Sequence, residues 1–352
     1  MAIQLAAAVT SFVICFLIIP VIIKYSLEKN LVDIPGRRKI HKKITPSMGG
    51  IAIFLGFVIS ALIWMEFQQW KETRFILIAL FIVFFIGVRD DLVPLRPFMK
   101  LLGQLIAAGV LIALFDLRLK SLYGLIGLYE IPLLVSYGLT FFTIIVITNS
   151  FNLIDGLDGL AGTIASISLL AFGVSFFLAG DIVFAVLSFS MLGAVIAFLF
   201  FNWDPSEIFM GDTGALVIGL MLAILAIRFI DLQYNLPVNN PYKFKAAISG
   251  AVCFVIIPLA DTLRIFILRT IRRQSPFTPD KSHIHHNVMR LGFSHGRSTL
   301  ILGLVQAGFV MIVIFAKNVN DNYLLLCLLA LCILLSFMLD RAIQSKVPKE
   351  NL

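Results

Sequence analysis

FFTIIVITNSFNLIDGLDGL, residues 141–160, begins as a membrane helix and ends as something else. Its first eight residues are apolar, aromatic or β-branched and suit lipid. Asn149, Asn152, Asp155 and Asp158 then follow at steps of three, with Gly156 and Gly159 among them. At about 100° per residue, positions three apart fan around an α-helix, so the four cannot share one face unless the segment breaks or tightens. Glycine is what a break uses, and it lets backbone approach a ligand closely. Capping of two helix ends across a turn is the bland alternative, and the stretch alone leaves both open.

The rest of the chain sets the context. Of 352 residues, 60% are hydrophobic and 14% charged, and the mean hydropathy is +0.99. Such a composition excludes a soluble globule and describes an integral membrane protein. Eleven apolar segments occupy 2–23, 48–65, 74–88, 101–115, 132–148, 160–179, 182–201, 214–230, 246–268, 299–316 and 323–340. Most can cross a ~30 Å hydrocarbon core as helices; the third and fourth are short and need tilt or flanking residues. The first lacks a basic start and exceeds the apolar core of a signal peptide, so it is expected to be a retained span. The predicted fold is therefore an all-α polytopic membrane protein of about 11 transmembrane helices, one domain over 1–352 with no separate soluble part.

Charge supplies the orientation. Loops 24–47, 89–100, 149–159, 202–213 and 269–298, with the tail from 341, hold 19 of the 28 Lys and Arg; the opposite connections hold 8. The positive-inside rule makes the first set cytoplasmic, with the N-terminus outside and the C-terminus inside. The net charge of +8 follows from this bias and from attraction to the lipid bilayer, and gives no ground for a nucleic-acid partner. The four cysteines lie in apolar runs without a CxxC pair, which indicates neither a disulfide framework nor a zinc site.

On the predicted cytoplasmic side the costly residues gather. Asp90 and Asp91 close the third segment in GVRDDLVPLRPFMK, and Asp212 lies in FNWDPSEIFMGDTG. Solvated charges at a helix end are the bland alternative for this pair, but adjacent carboxylates repel unless a cation sits between them, so a metal would explain it. Asp212 precedes a new span and is either its cap or part of an anion-ready helix start. TPSMGG at 45–50, carrying Thr45, repeats that arrangement with Lys39, Lys42 and Lys43 upstream. His283, His285 and His286 are too compressed for ordinary zinc spacing and better suit a phosphoryl group. Asp261 and Arg264, three apart inside the ninth segment, are expected to pair with each other. Together these loops suit a divalent cation on a pyrophosphate, since Mg²⁺ takes one or two carboxylates and lets phosphates complete its shell. A secondary transporter is the alternative of another class, but transporters bind near the midplane, whereas these groups cluster at one surface.

GVRDDL, NSFNLIDGLDGLAG, FMGDTGA and DKSHIHH, following TPSMGG, resemble the polyprenyl-phosphate N-acetylhexosamine-1-phosphate transferase superfamily (glycosyltransferase family 4), in the family's order from about residue 33 to 298. SPFTPDKSHIHH is similar to the histidine loop of the bacterial branch that transfers N-acetylglucosamine-1-phosphate; the phospho-N-acetylmuramoyl-pentapeptide branch is the rival. FMGDTGA departs from the usual FMGDxGS, and Ala215 is assigned no role. The resemblance implies Asp212 as principal Mg²⁺ ligand (Mn²⁺ as the substitute), with Asp90 and Asp91 near the metal and the lipid phosphate. It implies Asn152, Asp155 and Asp158 at the nucleotide, Phe209 stacking on uracil, and the histidines near the pyrophosphate and sugar. Lys43, Thr45, Asp261 and Arg264 are carried as further substrate-binding candidates. The expected partners are a UDP-N-acetylhexosamine and undecaprenyl phosphate, with a homodimer left open. The expected location is the bacterial cytoplasmic membrane, site inward. The expected reaction releases UMP by direct in-line attack, without a covalent aspartyl intermediate.

Overall fold

The computed structural model describes residues 1–29, 31–33, 45–271 and 283–346. Lys43 lies outside the described residues, as do parts of loops 24–47 and 269–298. Among the described residues there are thirteen α-helices: α1 Ala2–Glu28, α2 Gly49–Trp64, α3 Phe67–Leu92, α4 Pro97–Phe115, α5 Leu133–Ile154, α6 Leu160–Ala179, α7 Ile182–Asn202, α8 Gly211–Asn235, α9 Ala247–Phe254, α10 Ile256–Ile271, α11 Ile284–Arg290, α12 His295–Phe315 and α13 Asp321–Lys346. Two short strands, β1 (Val32–Asp33) and β2 (Thr45–Pro46), pair antiparallel beside them. Helix is the expected solution, because a chain in hydrocarbon must satisfy its backbone polar groups within each segment.

Every one of the eleven apolar segments becomes helical. By length and composition, eight described helices can span a membrane, or nine if the pair α9 and α10 forms one span. α2, at 16 residues, is shorter, and α3 carries charge at both ends: Lys71 and Arg74, then Arg89, Asp90 and Asp91. The chain is a multi-pass membrane protein.

The ninth segment, expected to be continuous, is bent by 84° between α9 and α10. Pro258 is the physical reason. A proline clashes with, and offers no N–H to, the carbonyl four residues back, here Phe254. Gln306 of α12, fully buried, makes up the loss. Its Nε2 donates to Cys253 O at 3.1 Å and Phe254 O at 2.9 Å, and its Oε1 accepts the Ile257 N–H at 3.2 Å.

α8 is the axis of the bundle and packs against α2, α3, α5, α6 and α9. The close approach near its start needs glycine. A Cβ on Gly50 of α2 would lie 2.1 Å from Gly214 N, and one on Gly87 of α3 would lie 2.4 Å from Thr213 Cα. Three backbones therefore meet without intervening side chains, which brings the ends of α2 and α3 onto the first turn of α8. At the other end of the bundle lies a separate cavity bordered by Lys71, Asp116, Asp181 and Arg228.

Candidate active site

A cavity of about 470 Å³ opens where α3, α5 and α7 end and α4, α8 and α12 begin. Asp90, Asp91, Asp155, Asp158 and Asp212 line it, together with Asn152, Phe209, Lys100 and His295. The five carboxylates come from three separate stretches of sequence, and the close contact of α2, α3 and α8 is what assembles them.

Asp91 is an interhelical cap. Its Oδ1 accepts the Asp212 N–H at 2.7 Å, and its Oδ2 accepts the Thr213 N–H at 3.1 Å and hydroxyl at 2.5 Å. The first turn of α8 was expected to offer free N–H groups to an anion; instead, an anion from α3 already holds two of them. The start of α2 is likewise engaged, since Gly49 and Gly50 donate to the carbonyls of Phe209 and Met210 at 3.0 and 2.9 Å. Both expected anion-ready helix starts are thus corrected to packing joints. Thr45 is buried in β2, and Ser47 is the residue of that segment that reaches the cavity.

Asp90 and Asp212 face a common cation. Lys100 Nζ forms an ion pair with Asp90 and another with Asp212 at 3.1 Å. Asp90 also accepts the Leu95 N–H at 2.6 Å, and Asn152 Nδ2 donates to Asp212 Oδ1 at 2.8 Å. Lys100 was missed in the sequence, where it counted only toward loop charge. The available signal was its place at the start of a span, just beyond an acid pair and a proline turn.

The segment 149–160 does break. α5 runs on to Ile154, and α6 begins at Leu160. Asn149 turns away to a reciprocal amide pair with Gln104 of α4, at 2.7 and 3.3 Å, while Asn152, Asp155 and Asp158 line the cavity. Burial, then repulsion from Asp212, Asp91 and Asp158, raises the Asp155 pKa to about 7. Burial also opposes ionisation of Asp158, but contacts from His295 and Ser206 outweigh it and hold the carboxyl below its usual range. Asn202 pins the turn to the next loop: its Oδ1 accepts the Gly159 N–H at 2.9 Å, and its Nδ2 donates to Ile208 O at 2.8 Å.

The histidines form a second layer. His285 sits against the acidic turn, where a Cβ on Gly156 would lie 2.5 Å from its Nε2. Burial, then His286, pushes the His285 pKa down to about 3, so this imidazole is neutral. His286 packs on His285 with ring centroids 4.4 Å apart. His283 Nδ1 is 2.8 Å from Asp261 Oδ2, and Asp261 Oδ1 accepts the Ile284 N–H at 2.8 Å. The expected Asp261–Arg264 pair is therefore corrected. Arg264 instead reaches α13, bonding Ser336 Oγ at 2.8 Å and Asp340 Oδ1 at 2.6 Å. Helical spacing suggested the mutual pair, but the neighbouring elements supplied better-placed partners. Neither Asp261 nor Arg264 lines the cavity; Asp261 is a strut for the histidine segment.

Among the described residues, no three His, Cys, Asp or Glu side chains converge into a cage for an ion. The donor set fits a hard divalent cation of another kind, one held by few protein oxygens with substrate phosphates completing its shell. Two carboxylates already converge on the Lys100 ammonium. Five acids line the cavity beside Lys100 and His295.

Residues 73–230 match the family model described as glycosyl transferase family 4. The chain is 33% identical, over 94% of its length and 89% of the relative's, to a probable undecaprenyl-phosphate N-acetylglucosaminyl 1-phosphate transferase of Bacillus subtilis. It is 30% identical to an undecaprenyl-phosphate alpha-N-acetylglucosaminyl 1-phosphate transferase of Yersinia pestis, over 89% of this chain and 84% of that one. A decaprenyl-phosphate N-acetylglucosaminephosphotransferase of Mycolicibacterium smegmatis is also 30% identical, with coverage of 81% and 76%.

Proposed function

We propose that this chain, which belongs to glycosyl transferase family 4, transfers N-acetylglucosamine-1-phosphate from UDP-N-acetylglucosamine to undecaprenyl phosphate and releases UMP. The observation that carries the proposal is the convergence of Asp90, Asp91, Asp155, Asp158 and Asp212 on one cavity at one end of a membrane bundle. The relatives, whose names specify prenyl-phosphate acceptors and N-acetylglucosamine, support the substrates. The acidic end is cytoplasmic in this account, as the Lys and Arg distribution supports, and the chain crosses the bacterial cytoplasmic membrane eleven times.

Two anions must meet, so neutralising charge is the main catalytic task. Asp212 and Asp90 are the residues that would hold Mg²⁺, with Mn²⁺ as the substitute; the ion supplies charge neutralisation and orientation to the diphosphate. Asp91 keeps the first turn of α8, and with it Asp212, in place. Asn152 orients the Asp212 carboxylate, and Lys100 adds positive charge for the acceptor phosphate. Asp155, Asp158 and Phe209 mark the nucleotide end. His283, His285 and His286 back the cavity near the sugar and diphosphate, braced through Asp261. A phosphomonoester's second pKa is about 6, so the lipid phosphate is largely dianionic near neutrality and needs little help from a base. Its oxygen attacks the β-phosphorus in line, the bond to the UMP oxygen breaks, and UMP leaves with the electron pair.

The test supplies purified protein with Mg²⁺, undecaprenyl phosphate and, in parallel, UDP-N-acetylglucosamine, UDP-N-acetylgalactosamine and UDP-N-acetylmuramoyl-pentapeptide. UMP release with the first alone is expected. Release only with the pentapeptide donor would assign the rival branch, and substrate flux in proteoliposomes without UMP would assign a transporter.

A further inference from the structure

We infer that Gln104 is a positioning residue for the transfer: paired with Asn149, it sets the register in which Lys100 of α4 and Asn152 of α5 reach the same oxygen of Asp212; the inference rests on the transferase reading of the cavity. Beyond Lys100, Gln104 is the one polar side chain on α4, and it is almost fully buried. An amide at that depth is costly unless it is bonded. Its partner is the Asn149 amide of α5: Asn149 Nδ2 donates to Gln104 Oε1 at 2.7 Å, and Gln104 Nε2 donates back to Asn149 Oδ1 at 3.3 Å.

Both amides stand one helical turn from a residue of the site. Gln104 follows Lys100 by four positions, on the same side of α4, and Asn149 precedes Asn152 by three on α5. At the cavity, Lys100 Nζ lies 3.1 Å from Asp212 Oδ1, and Asn152 Nδ2 donates to that same oxygen at 2.8 Å. α4 and α5 are thus joined to each other below the cavity, and each is joined to α8 at it.

Apolar packing keys α4 to α3 more closely than to α5. A Cβ on Gly103 would lie 1.7 Å from Ile86 Cδ1 of α3, whereas a Cβ on Gly109 would meet only the edge of the Phe141 ring of α5, at 4.0 Å. A reciprocal amide pair supplies the missing register. Moving either helix by one residue turns its amide by about 100° and leaves both amides without a partner. The same slip would carry Lys100 or Asn152 off Asp212 Oδ1. A group misplaced by about 1 Å can cost about a hundredfold in rate, so the amides bear on turnover without touching substrate.

The test measures the unfolding midpoint in detergent and the rate of UMP release for the purified full chain. The variants are Gln104→Met, Asn149→Leu, the two combined, and the exchanged pair Gln104→Asn with Asn149→Gln. Each single variant leaves one amide without its partner and should lower both stability and turnover. The combined variant removes both amides, so its midpoint should return toward that of the wild type, while its turnover stays at least about tenfold down. The exchanged pair restores an amide bond between the two helices and should regain part of the turnover. Gln104→Met made in a Lys100→Met background should lower turnover by a smaller factor than it does in the wild type; this comparison serves where the combined variant does not fold. Wild-type turnover in the combined variant, or an equal loss on Gln104→Met with and without Lys100, overturns the inference. UMP release by the wild type with UDP-N-acetylglucosamine is read separately and tests the transferase reading itself.

Discussion

Asp91, on the last turn of α3, caps α8 through Thr213, whose N–H and hydroxyl both donate to Asp91 Oδ2 at 3.1 and 2.5 Å. The two adjacent aspartates therefore do different work: Asp91 holds the scaffold, and Asp90 faces Lys100.

Replacing each separates the roles. Asp91→Ala leaves the Asp212 and Thr213 N–H groups without their acceptor and should cost about 1–3 kcal/mol, seen as a lower midpoint of thermal unfolding in detergent. Asp90→Asn keeps an acceptor for the Leu95 N–H and should unfold near the wild-type temperature, while turnover falls about a hundredfold. Equal thermal stability of the two variants would contradict the division.

Gly50→Ala places a methyl 2.1 Å from Gly214 N, a backbone atom that cannot rotate away. Overpacking of this kind costs about 1–3 kcal/mol and should shift the start of α8, reducing both thermal stability and turnover. Gly138→Ala, with nothing within 4 Å of the new atom, is the matched control and should be neutral or slightly stabilising.

Lys100→Met removes the cation between Asp90 and Asp212 and leaves two acids facing each other. Unfolding in chelator should occur at a lower temperature than in the wild type. Added Mg²⁺ should raise the midpoint of Lys100→Met more than that of the wild type, while turnover stays about a hundredfold down. Identical responses to Mg²⁺ would show that the ion binds elsewhere.

Asp155 gives a pH signature. Its pKa rises from 3.8 to about 7 on folding, so the folded state binds the proton more tightly than the unfolded chain. Its contribution is favourable below the unfolded pKa and is lost as pH rises toward 7. Asp155→Asn in chelator should therefore gain thermal stability over the wild type at pH 8, and the gain should vanish at pH 4. A gain of the same size at both pH values would assign it to packing.

Much of the site was legible because carboxylates and asparagines are expensive beside lipid, so their positions stand out against apolar runs. The break after Ile154 was readable from the spacing of four polar side chains and two glycines. The bend at Val255 had a local signal in Pro258, but its consequence depended on Gln306, 48 residues on. Lys100 and His295 were not legible as site residues, because a basic residue at a span's start and a histidine after a serine each have ordinary explanations. Their roles come from tertiary neighbours, as do the separate partners of Asp261 and Arg264.

The most direct test of the metal-held diphosphate is formation of the lipid-linked sugar diphosphate by purified protein in complete chelator, then after Mg²⁺ is restored, for the wild type and Asp212→Ala. The account predicts product from the wild type only with Mg²⁺, and none from a folded Asp212→Ala in either condition. Product formed under complete chelation, or at near-normal rate by Asp212→Ala, would contradict it.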